Sequence, residues 1–281
     1  MERLPDRDAL AAWRTDLGEI ALGLVPTMGA LHAGHESLVR AAREACERVL
    51  VSIFVNPLQF DESADFEAYP RPFEEDLRTL EGLGADAVYL PTPGDMYPQG
   101  FETRIVPGAS GRGFEGACRP GHFEGVLTVV YKLLVRARPA RAFFGEKDAQ
   151  QLHLVRRMVE DLELPVEITS CPTVRETDGL ALSSRNVHLG PEERERAGAL
   201  YRALTAARTA FAGGERDPAA LAAVMEEVFA RAGLDPEYAA VVDDRLFRTP
   251  ERLEPGMPCR AVTAARVGRT RLIDNLFLGH A

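Results

Sequence analysis

The sequence predicts an α/β protein in which a parallel sheet covered by helices is followed by a smaller α+β domain. Short apolar runs rich in β-branched residues, such as 48–55, alternate with helical patterns through the first 174 residues. That alternation is typical of the buried strands and crossover helices of a parallel sheet. Beyond Pro191 the pattern changes to two helices rich in Ala, Glu and Arg, and then to two strands. We therefore expect one domain at 1–174 and a second at 175–281.

The individual strands and helices follow from the periodicity of the apolar residues. The first domain is expected to have strands at 20–25, 48–55, 85–90, 103–106 and 166–174 and a further strand from Arg141. Its helices are expected at 8–17, 74–84, 126–138 and 150–162, with a further helix from Glu36. The second is expected to have helices at 191–212 and 218–232 and strands at 237–247 and 258–275. Residues 61–73 are acidic and interrupted by prolines, which is typical of a mobile loop or lid.

The composition argues against several classes of protein. The 281 residues are 46% hydrophobic, enough for a full core, and carry a formal net charge of −10, which is unusual for a protein that binds nucleic acid. No apolar run reaches the about 18 residues of a membrane span, and the charged N-terminus is unlike a signal peptide. Four scattered cysteines without a CxxC pair indicate neither a disulfide framework nor a cysteine-rich metal site. We expect a cytoplasmic protein that binds neither nucleic acid nor a membrane.

The loop after the strand at 20–25 carries two histidines at the start of a helical pattern. His32 and His35 are three residues apart, so both rings can face whatever lies over the helix start. In a parallel sheet that position is where ligands bind, and the free N–H groups of a helix start attract anions. Two imidazoles there suit a nucleotide phosphate. A structural capping loop is the alternative, and a zinc site is disfavoured because no Cys or further His lies nearby.

Polar side chains also follow the next strand and begin the next long helix. Asn56 and Gln59 come after the strand at 48–55, where amides can fix a polar substrate, unless they only make the turn that Asn-Pro favours. Glu75 and Asp76 can hold hydrated Mg²⁺, although acids at a helix start more often complement the helix dipole.

Two later segments place cations in glycine-containing loops. Arg119 and His122 lie in the glycine-rich stretch 111–125, which either approaches a ligand closely or is a flexible connector. Lys147 and Asp148 follow another strand, where they can reach a phosphate and a ribose hydroxyl. Lys147 is one of two lysines among 33 basic residues, which indicates a specific use, although a compositional bias towards Arg also produces this pattern.

A Ser-Ser-Arg run completes the candidates. Ser183, Ser184 and Arg185 suit a loop that grips phosphates, but such a run is common by chance in surface loops.

Together these segments resemble the pantothenate synthetase family. The ten residues Pro-Thr-Met-Gly-Ala-Leu-His-Ala-Gly-His at 26–35 contain a His-x-Gly-His core, which alone indicates only the nucleotidyltransferase superfamily that includes class I aminoacyl-tRNA synthetases. The resemblance continues, in one order along nearly the whole chain, at 54–60, 69–71, 96–101, 119–122, 144–148 with Gln151, 183–186 and 272–275. Agreement of several separate segments is far more specific than the short core.

The resemblance implies a Rossmann-like nucleotidyltransferase domain, a C-terminal domain that closes over the active site, and an ATP-dependent ligase. Pantoate and ATP would give bound pantoyl adenylate and pyrophosphate, and β-alanine would then displace AMP to give pantothenate. The resemblance also implies Mg²⁺ and a homodimer.

The same resemblance implies roles for individual residues. It assigns catalysis to His32, His35, Lys147 and Arg185, with His35 as the proton donor. It assigns nucleotide contacts to Met28, His32, His35, Gly145, Lys147, Asp148, Val174, Leu182, Ser183, Ser184 and Arg185. Substrate contacts fall to Gln59 and Gln151, which would hold pantoate, and to Asn56, Arg119 and His122. The prediction that Glu75 and Asp76 hold Mg²⁺ through water comes from their carboxylates and not from the resemblance. The chain departs from the common family pattern at Leu182, where Met is usual, and at Ala149, where an aromatic residue is usual.

Two other functions compete with this interpretation. A nucleotidyltransferase that adenylylates or cytidylylates a phosphorylated substrate would need further cations in place of the amides of Gln59 and Gln151. A catalytically silent nucleotide-binding protein is the other alternative, and the intact set of histidines and cations argues against it.

Overall fold

A computed structural model describes residues 1–60 and 63–281, which form two compact units. The first unit comprises Met1–Gly145 and Leu154–Pro172, and the second comprises Glu146–His153 and Thr173–Ala281. The short segment 146–153 therefore belongs with the C-terminal residues, although it directly follows a strand of the first unit. The predicted limits at 174 and 175 stay a prediction.

The first unit is built on a six-stranded parallel sheet. Its strands are β1 (Glu2–Leu4), β2 (Leu22–Thr27), β3 (Arg48–Ile53), β4 (Ala87–Tyr89), β5 (Arg141–Gly145) and β6 (Glu167–Cys171), in the spatial order β1-β4-β3-β2-β5-β6. Every neighbouring pair is parallel. The inner strands are nearly continuous apolar runs because helices cover both faces of such a sheet. The predicted α/β class is confirmed.

The order of the strands reverses beside β2. The chain moves outward from β2 through β3 to β4, whereas β5 pairs with the opposite edge of β2 at Gly23 and Leu24. In open α/β sheets, the crevice beyond the carboxyl ends of the strands at such a reversal is where ligands bind. The loop after β2, which carries the two histidines, therefore lies at the position that the topology favours for a ligand.

The helices around this sheet are α1 (Arg7–Asp16), α2 (Ala33–Ala45), α3 (Ser63–Ala68), α4 (Phe73–Gly82), α5 (Pro93–Met96), α6 (Glu115–Cys118), α7 (His122–Ala137) and α8 (Ala149–Asp161). Val39 of α2 and Leu77 and Leu80 of α4 pack with strand residues such as Val49 and Val51 in one core cluster. Burying each of these side chains contributes about 1.5–3 kcal/mol. The packing of α2 and α4 fixes the ends of β2 and β3.

Two segments of this unit differ from the sequence prediction. Residues 103–106 are not a strand; the main-chain N–H of Ile105 donates to Thr128 Oγ1 at 3.0 Å, and the outer position of the sheet is taken by β1. Residues 63–68 form α3 where a loop was expected. The remaining part of the predicted lid at Asp61 and Glu62 lies outside the described residues.

The second unit contains a three-stranded antiparallel sheet and three helices of its own. Its strands are β7 (Pro236–Asp243), β8 (Pro258–Val267) and β9 (Thr270–His280), in that order, and its helices are α9 (Pro191–Ala197), α10 (Ala199–Ala212) and α11 (Pro218–Arg231). Phe211, Met225 and Phe229 share a buried core with Val241 and Ala261 of the sheet. The predicted α+β character is confirmed.

The boundaries in this unit need two corrections. The predicted helix at 191–212 is two helices that meet at Gly198, and the predicted strand at 258–275 is a hairpin that turns at residues 268–269. Its second strand continues to His280. As for membrane insertion, none of the helices in the described parts of the chain has the length and apolarity needed to span a bilayer.

Candidate active site

The loop after β2 is held by a buried carboxylate from α4. The main-chain N–H groups of Ala30 and Leu31 donate to the two oxygens of Asp76, at 2.9 and 2.8 Å. Asp76 is buried, and burial raises the pKa of its carboxyl group, while the two N–H donors act in the opposite direction. Thr27 ties the start of the same loop to β3, since its hydroxyl donates to the carbonyl oxygen of Ser52 at 2.8 Å. The loop is therefore anchored to both neighbouring elements.

The two histidines cap the start of α2 for one another. His32 is the N-cap residue, and its Nδ1 accepts from the N–H of Gly34 at 3.1 Å. His35 Nδ1 accepts in turn from the N–H of His32 at 3.4 Å, and the ring centroids are 4.2 Å apart. A Cβ atom at Gly34 would lie 2.8 Å from the His32 ring, so the glycine between the histidines is required by this packing. The capping alternative considered from the sequence is thus part of the arrangement.

Reciprocal capping fixes which nitrogen of each ring carries the proton. Because each Nδ1 accepts a main-chain hydrogen bond, the neutral form of each imidazole has its proton on Nε2. Both rings are half-buried. The pair therefore presents two Nε2–H donors on neighbouring rings, an arrangement suited to phosphate oxygens.

That an anion binds at the N–H groups of this helix start stays a prediction, although several N–H groups of the loop already have partners. The N–H groups of Gly29, Ala30, Leu31, His32 and Gly34 all donate to side chains within the protein. These side chains satisfy donors of the loop and, at Gly34, one donor of the first turn of α2. The anion-binding role of the two imidazoles stays a prediction.

Asn56 and Gln59 form one hydrogen-bonded unit in the turn after β3. The Asn56 amide donates to Gln59 Oε1 at 3.0 Å and to the carbonyl oxygen of Gly125 at 3.1 Å. Its own Oδ1 accepts from the N–H of Leu58 at 3.2 Å and from the Tyr97 hydroxyl at 2.8 Å. Asn56 is buried, whereas Gln59 is half-buried. Asn56 therefore orients Gln59, the more exposed amide of the two.

Gln59 also links this turn to the histidine loop and to the glycine-rich stretch. Its Nε2 lies 3.0 Å from the sulfur of Met28, which precedes the two histidines. Its carbonyl oxygen accepts from Arg119 at 3.1 Å and lies 2.9 Å from His122 Nδ1. Met28, Asn56, Arg119 and His122 thus all contact Gln59, next to the histidine loop.

Sequence reasoning missed three residues that support this group. Tyr97 donates to Asn56, and its ring lies 5.8 Å from the ammonium of Lys132, which in turn sits 4.7 Å over the ring of Phe101. Burial lowers the pKa of Lys132 and raises that of Tyr97. The 96–101 segment signals these aromatic residues in the sequence, but only the fold shows that the Tyr97 hydroxyl bonds to Asn56.

In the second unit, Lys147 lies in a 3-10 turn held by a C-terminal asparagine. The turn spans Glu146–Asp148, and the Lys147 ammonium is 3.7 Å from Asp148 Oδ1. Asn275 Nδ2 donates to the carbonyl oxygens of both Glu146 and Lys147, each at 2.8 Å. The 272–275 segment belongs to the family resemblance, but the sequence assigns no role to Asn275.

The nucleotide residues predicted at 174–185 lie on a short hairpin and the turn that follows it. The N–H of Leu182 donates to the carbonyl oxygen of Val174 at 3.0 Å, so the two residues predicted beside adenine face one another. Ser183 Oγ accepts from the N–H of Arg185 at 3.3 Å and caps a 3-10 turn at Ser184–His188. Strand β9 contacts both this turn and the turn of Lys147.

Two further predicted residues, Gly145 and Gln151, flank the turn of Lys147 in the sequence. Gly145 ends β5 in the first unit, and Gln151 is half-buried in the first turns of α8. Ala149, where an aromatic residue is usual in the family, is buried at the start of that helix. Leu182, where Met is usual, is half-buried.

Glu75 and Asp76 do not form a metal-binding cluster. Glu75 is exposed, and each oxygen of Asp76 already accepts a main-chain hydrogen bond. Within residues 1–60 and 63–281, no group of three or more His, Cys, Asp and Glu side chains is arranged to hold a metal ion. The contact of these two acids with Mg²⁺ through water stays a prediction.

Comparison with known proteins agrees with this geometry. Residues 4–277 match the family model described as pantoate-beta-alanine ligase. The pantothenate synthetase of Rubrobacter xylanophilus is 52% identical over 97% of this chain and 95% of its own length.

Two solved structures are also similar. The pantothenate synthetase of Thermus thermophilus has a TM-score of 0.93 and 44% identity, covering 99% of this chain and 100% of that one. The pantoate-beta-alanine ligase of Francisella tularensis, complexed with beta-gamma ATP and beta-alanine, has a TM-score of 0.83 and 34% identity, covering 99% and 98%.

Proposed function

The chain belongs to the pantoate-beta-alanine ligase family, and from this premise we propose that it joins the two substrates through an enzyme-bound pantoyl adenylate. The protein is an enzyme that ligates pantoate and β-alanine with ATP. The proposal concerns the path of the reaction, its products and the residues that carry it. The observation that carries the proposal is the mutually capped pair of His32 and His35 in the loop after β2.

In the first step, a carboxylate oxygen of pantoate attacks the α-phosphorus of ATP. A bond forms between that oxygen and phosphorus, the bond from the α-phosphorus to the bridging oxygen breaks, and pyrophosphate leaves with the bonding electrons. Negative charge therefore develops on the departing phosphates. Hydrogen-bond donors and cations placed there lower the barrier because they stabilise this charge more in the transition state than in the bound substrate.

In the second step, the amine of β-alanine attacks the carbonyl carbon of the adenylate. The new C–N bond replaces the bond to the adenylate oxygen, AMP leaves, and the amine loses a proton. The products are pantothenate and AMP, and the protein forms no covalent bond to either substrate. No nucleophilic side chain is needed for this route.

The first unit would supply imidazoles and amides. We assign the Nε2–H groups of His32 and His35 to the ATP phosphates, with His35 as the proton donor, and Met28 to the nucleotide. Gln59 would bind pantoate, and Asn56 would act by holding the Gln59 amide. Arg119 and His122 would support the same turn through the Gln59 carbonyl oxygen, with His122 Nδ1 at 2.9 Å.

The second unit would supply cations and hydroxyl groups. Contacts with the ATP phosphates are assigned to Lys147, Ser183, Ser184 and Arg185. Asp148, together with Gly145 at the end of β5, would contact the ribose, Val174 and Leu182 the adenine, and Gln151 pantoate. The contact of β9 with both the turn of Lys147 and the turn after Ser183 supports a common role for these two segments.

Mg²⁺ would enter this reaction with ATP as part of the substrate. The described carboxylates offer no protein cage for a metal ion, and magnesium commonly binds through phosphate oxygens while keeping several waters. Addition of excess EDTA is therefore expected to abolish turnover, and added Mg²⁺ is expected to restore it. Undiminished activity in EDTA would remove the metal from the proposal.

Release of the two products tests the two-step path. Pyrophosphate and AMP are measured from ATP, Mg²⁺ and pantoate, with and without β-alanine. Pyrophosphate formed with pantoate alone, at about one equivalent per active site, and continuous AMP release only after β-alanine is added, are the expected results. No pyrophosphate without β-alanine would contradict a free-standing adenylation step, and ADP in place of AMP would contradict attack at the α-phosphorus.

We also propose a homodimer in the cytoplasm, on the family relationship. Light scattering at micromolar concentration is expected to give twice the chain mass of 30.8 kDa. A mass of one chain, 30.8 kDa, at micromolar concentrations would reject the dimer.

A further inference from the structure

Strand β9 of the second unit places one buried amide against the turn that carries Lys147. Asn275 is 4% exposed, and its Nδ2 donates to the carbonyl oxygens of Glu146 and Lys147 at 2.8 Å each. Both hydrogens of one planar amide are thus used on two successive peptide groups. Such a contact fixes the direction of both peptides, and hence the direction in which the Lys147 side chain leaves the turn.

The orientation of that amide is itself determined by its partners. Asn275 Oδ1 accepts from Arg260 Nη1 at 2.6 Å, and a guanidinium can only donate. The two carbonyl oxygens on the other side can only accept. A flipped amide would therefore place donor against donor and acceptor against acceptor, so a single orientation satisfies the site.

Two ion pairs, one at Arg260 and one at Asp274, fix the position of Asn275. Arg260 is bound by Asp244, with Nε and Nη2 at 2.5 and 3.2 Å from its oxygens. Asp274, the preceding residue, accepts both guanidinium nitrogens of Arg175 at 2.6 and 2.9 Å and also accepts the N–H of Asn275 at 2.7 Å. A planar guanidinium bound to two carboxylate oxygens has a fixed geometry, so the asparagine has little freedom to move.

We infer that Asn275 is a positioning residue for Lys147 in the ligase reaction. It has no assigned contact with a substrate; it acts by fixing the peptide groups on either side of the Lys147 side chain. The inference rests on the proposed function, because it assumes that the Lys147 ammonium binds an ATP phosphate. Loss of the two hydrogen bonds from Asn275 displaces the ammonium, and a displacement of about 1 Å can cost about 100-fold in rate.

The amide also changes the electrostatics of the turn. Carbonyl oxygens carry partial negative charge and repel an anion, and hydrogen bonds from Asn275 reduce that effect for the two carbonyl groups flanking the lysine. The same contact that orients Lys147 therefore makes its turn more favourable for phosphate. A purely structural asparagine would stabilise the unit but would not affect ATP more than the other substrates.

The test compares Asn275→Asp and Asn275→Ala with the matched control Thr263→Val. Asp has nearly the same shape and can keep the bond to Arg260, but it places an oxygen against two carbonyl oxygens. Thr263 is buried in the neighbouring strand β8, and its hydroxyl donates to Tyr238 at 2.9 Å, away from the turn of Lys147. The control thus loses a buried hydrogen bond of the same sheet without touching the turn.

Steady-state constants are measured for ATP, pantoate and β-alanine, and MgATP binding is measured by calorimetry. Both Asn275 variants are expected to lose about 10- to 100-fold in kcat/KM for ATP, with a matching loss of ATP affinity, while the KM for β-alanine stays within about twofold. Thr263→Val is expected to keep all three constants. Equal effects of the control and the Asn275 variants, or an equal loss for all substrates, would overturn the inference.

A double-mutant cycle with Lys147→Ala gives the second readout. If Asn275 acts through Lys147, its substitution adds little once the lysine is gone, whereas independent effects would multiply. Multiplying effects would overturn the inference even if each variant were impaired. If the wild-type enzyme released no AMP from pantoate, ATP and β-alanine together, the proposed function would fail, and calorimetric ATP affinity of the same variants would still decide the role of Asn275.

Discussion

The loop after β2 and the turn after β5 are both held by one buried polar side chain, but with opposite chemistry. In the first, Asp76 accepts two successive main-chain N–H groups, from Ala30 and Leu31. In the second, Asn275 donates to two successive main-chain carbonyl groups. A carboxylate is suited to the first task and an amide to the second, because the former only accepts and the latter can donate twice.

The difference shows how each backbone is prepared for an anion. In the histidine loop the N–H groups of Gly29 to His32 are used internally, and we propose that the imidazole Nε2–H groups bind the anion there. In the turn of Lys147 two carbonyl oxygens accept from Asn275, so the backbone beside the lysine would repel the proposed phosphate less. In both places we propose that side chains bind the anion, while one buried polar side chain fixes the backbone that carries them.

The largest expected effect is that of a substitution at His35 that keeps the capping hydrogen bond but removes the Nε2–H donor. His35→Asn places Oδ1 near the position of Nδ1 and can still accept from His32, but it removes the Nε2–H donor. We expect AMP formation to fall about 10²- to 10⁴-fold, the range for loss of a general acid or an electrostatic donor, with little change in thermal unfolding. His35→Ala is expected to be equally inactive and less stable, because it removes the cap as well.

The control for this prediction is His280→Ala, which changes an exposed histidine at the end of β9. Its activity and unfolding should match the wild type. Near-normal pyrophosphate release by His35→Asn would reject the assigned role of His35.

Asp76→Asn is expected to have the next largest effect. The amide would place an NH₂ group against one of the two N–H donors, leaving a buried donor unpaired at a cost of about 1–3 kcal/mol in the free energy of unfolding. Displacement of the histidine loop should also lower kcat by about 10- to 100-fold. Denaturant unfolding and turnover are compared with those of Glu75→Gln, which removes the same charge from the exposed neighbour.

The same pair of variants tests the metal prediction. If the two acids hold Mg²⁺ through water, both variants raise the Mg²⁺ concentration needed for half-maximal activity. If Asp76 serves only the loop, Glu75→Gln behaves as the wild type.

Asp76 and Asn275 should also differ in their response to pH, because only Asp76 titrates. Burial raises the pKa of Asp76 above its ordinary value of 3.8. The folded chain then binds this proton more tightly than the unfolded chain, so the stability contributed by this group is present in full below pH 3.8 and declines as the pH rises through the folded pKa. Protonation nevertheless turns one acceptor into an O–H donor and loosens the loop.

Activity is therefore expected to fall as the pH falls through the pKa of Asp76, without a loss of stability from that group. The difference between the pH profiles of the wild type and Asp76→Asn separates the titration of Asp76 from that of other carboxylates. A wild-type acid limb that persists unchanged in the variant would assign the titration elsewhere.

Two glycines give a matched pair of smaller effects. At Gly125 a Cβ atom would lie 2.2 Å from the main-chain oxygen of Leu58, so Gly125→Ala should separate α7 from the turn of Gln59 and cost about 1–3 kcal/mol in stability. At Gly145 no described atom lies within 4 Å of such a Cβ. Gly145→Ala is expected to keep its stability and raise the KM for ATP. A normal KM for ATP would remove Gly145 from the ribose contact.

The smallest effect is expected at Tyr97. Tyr97→Phe removes the hydroxyl that donates to Asn56 Oδ1 but keeps the ring beside Lys132. The cost should be about 0.5–1.5 kcal/mol in stability, and the loss of Gln59 orientation should appear as a raised KM for pantoate. An unchanged KM for pantoate, with the KM for ATP raised instead, would contradict the assigned link.

Much of the fold was predictable because its strands are continuous apolar runs bounded by loops. β2, β3 and β5 follow from that pattern, whereas β1 is three residues long and charged at two of them, so no periodicity marks it. Residues 103–106 look like an edge strand in isolation, but Ile105 bonds to a helix side chain instead. Short segments are decided by tertiary partners that local patterns do not contain.

The chemical groups of the site were also visible in the sequence, but their supports were not. His32 and His35 stand in a recognisable string, and so does Lys147. Asp76 is 45 residues from its partner Leu31, and Asn275 is 128 residues from Lys147. A single sequence carries no signal for contacts at that separation.

Transfer of oxygen from pantoate tests the central claim most directly. Pantoate labelled with ¹⁸O in its carboxylate is converted in the presence of ATP, Mg²⁺ and β-alanine, and the products are analysed by mass spectrometry. Attack at the α-phosphorus predicts that each turnover leaves one labelled oxygen on AMP and none on pyrophosphate. Unlabelled AMP, or label in pyrophosphate or inorganic phosphate, would contradict an adenylate and with it the roles assigned to both turns.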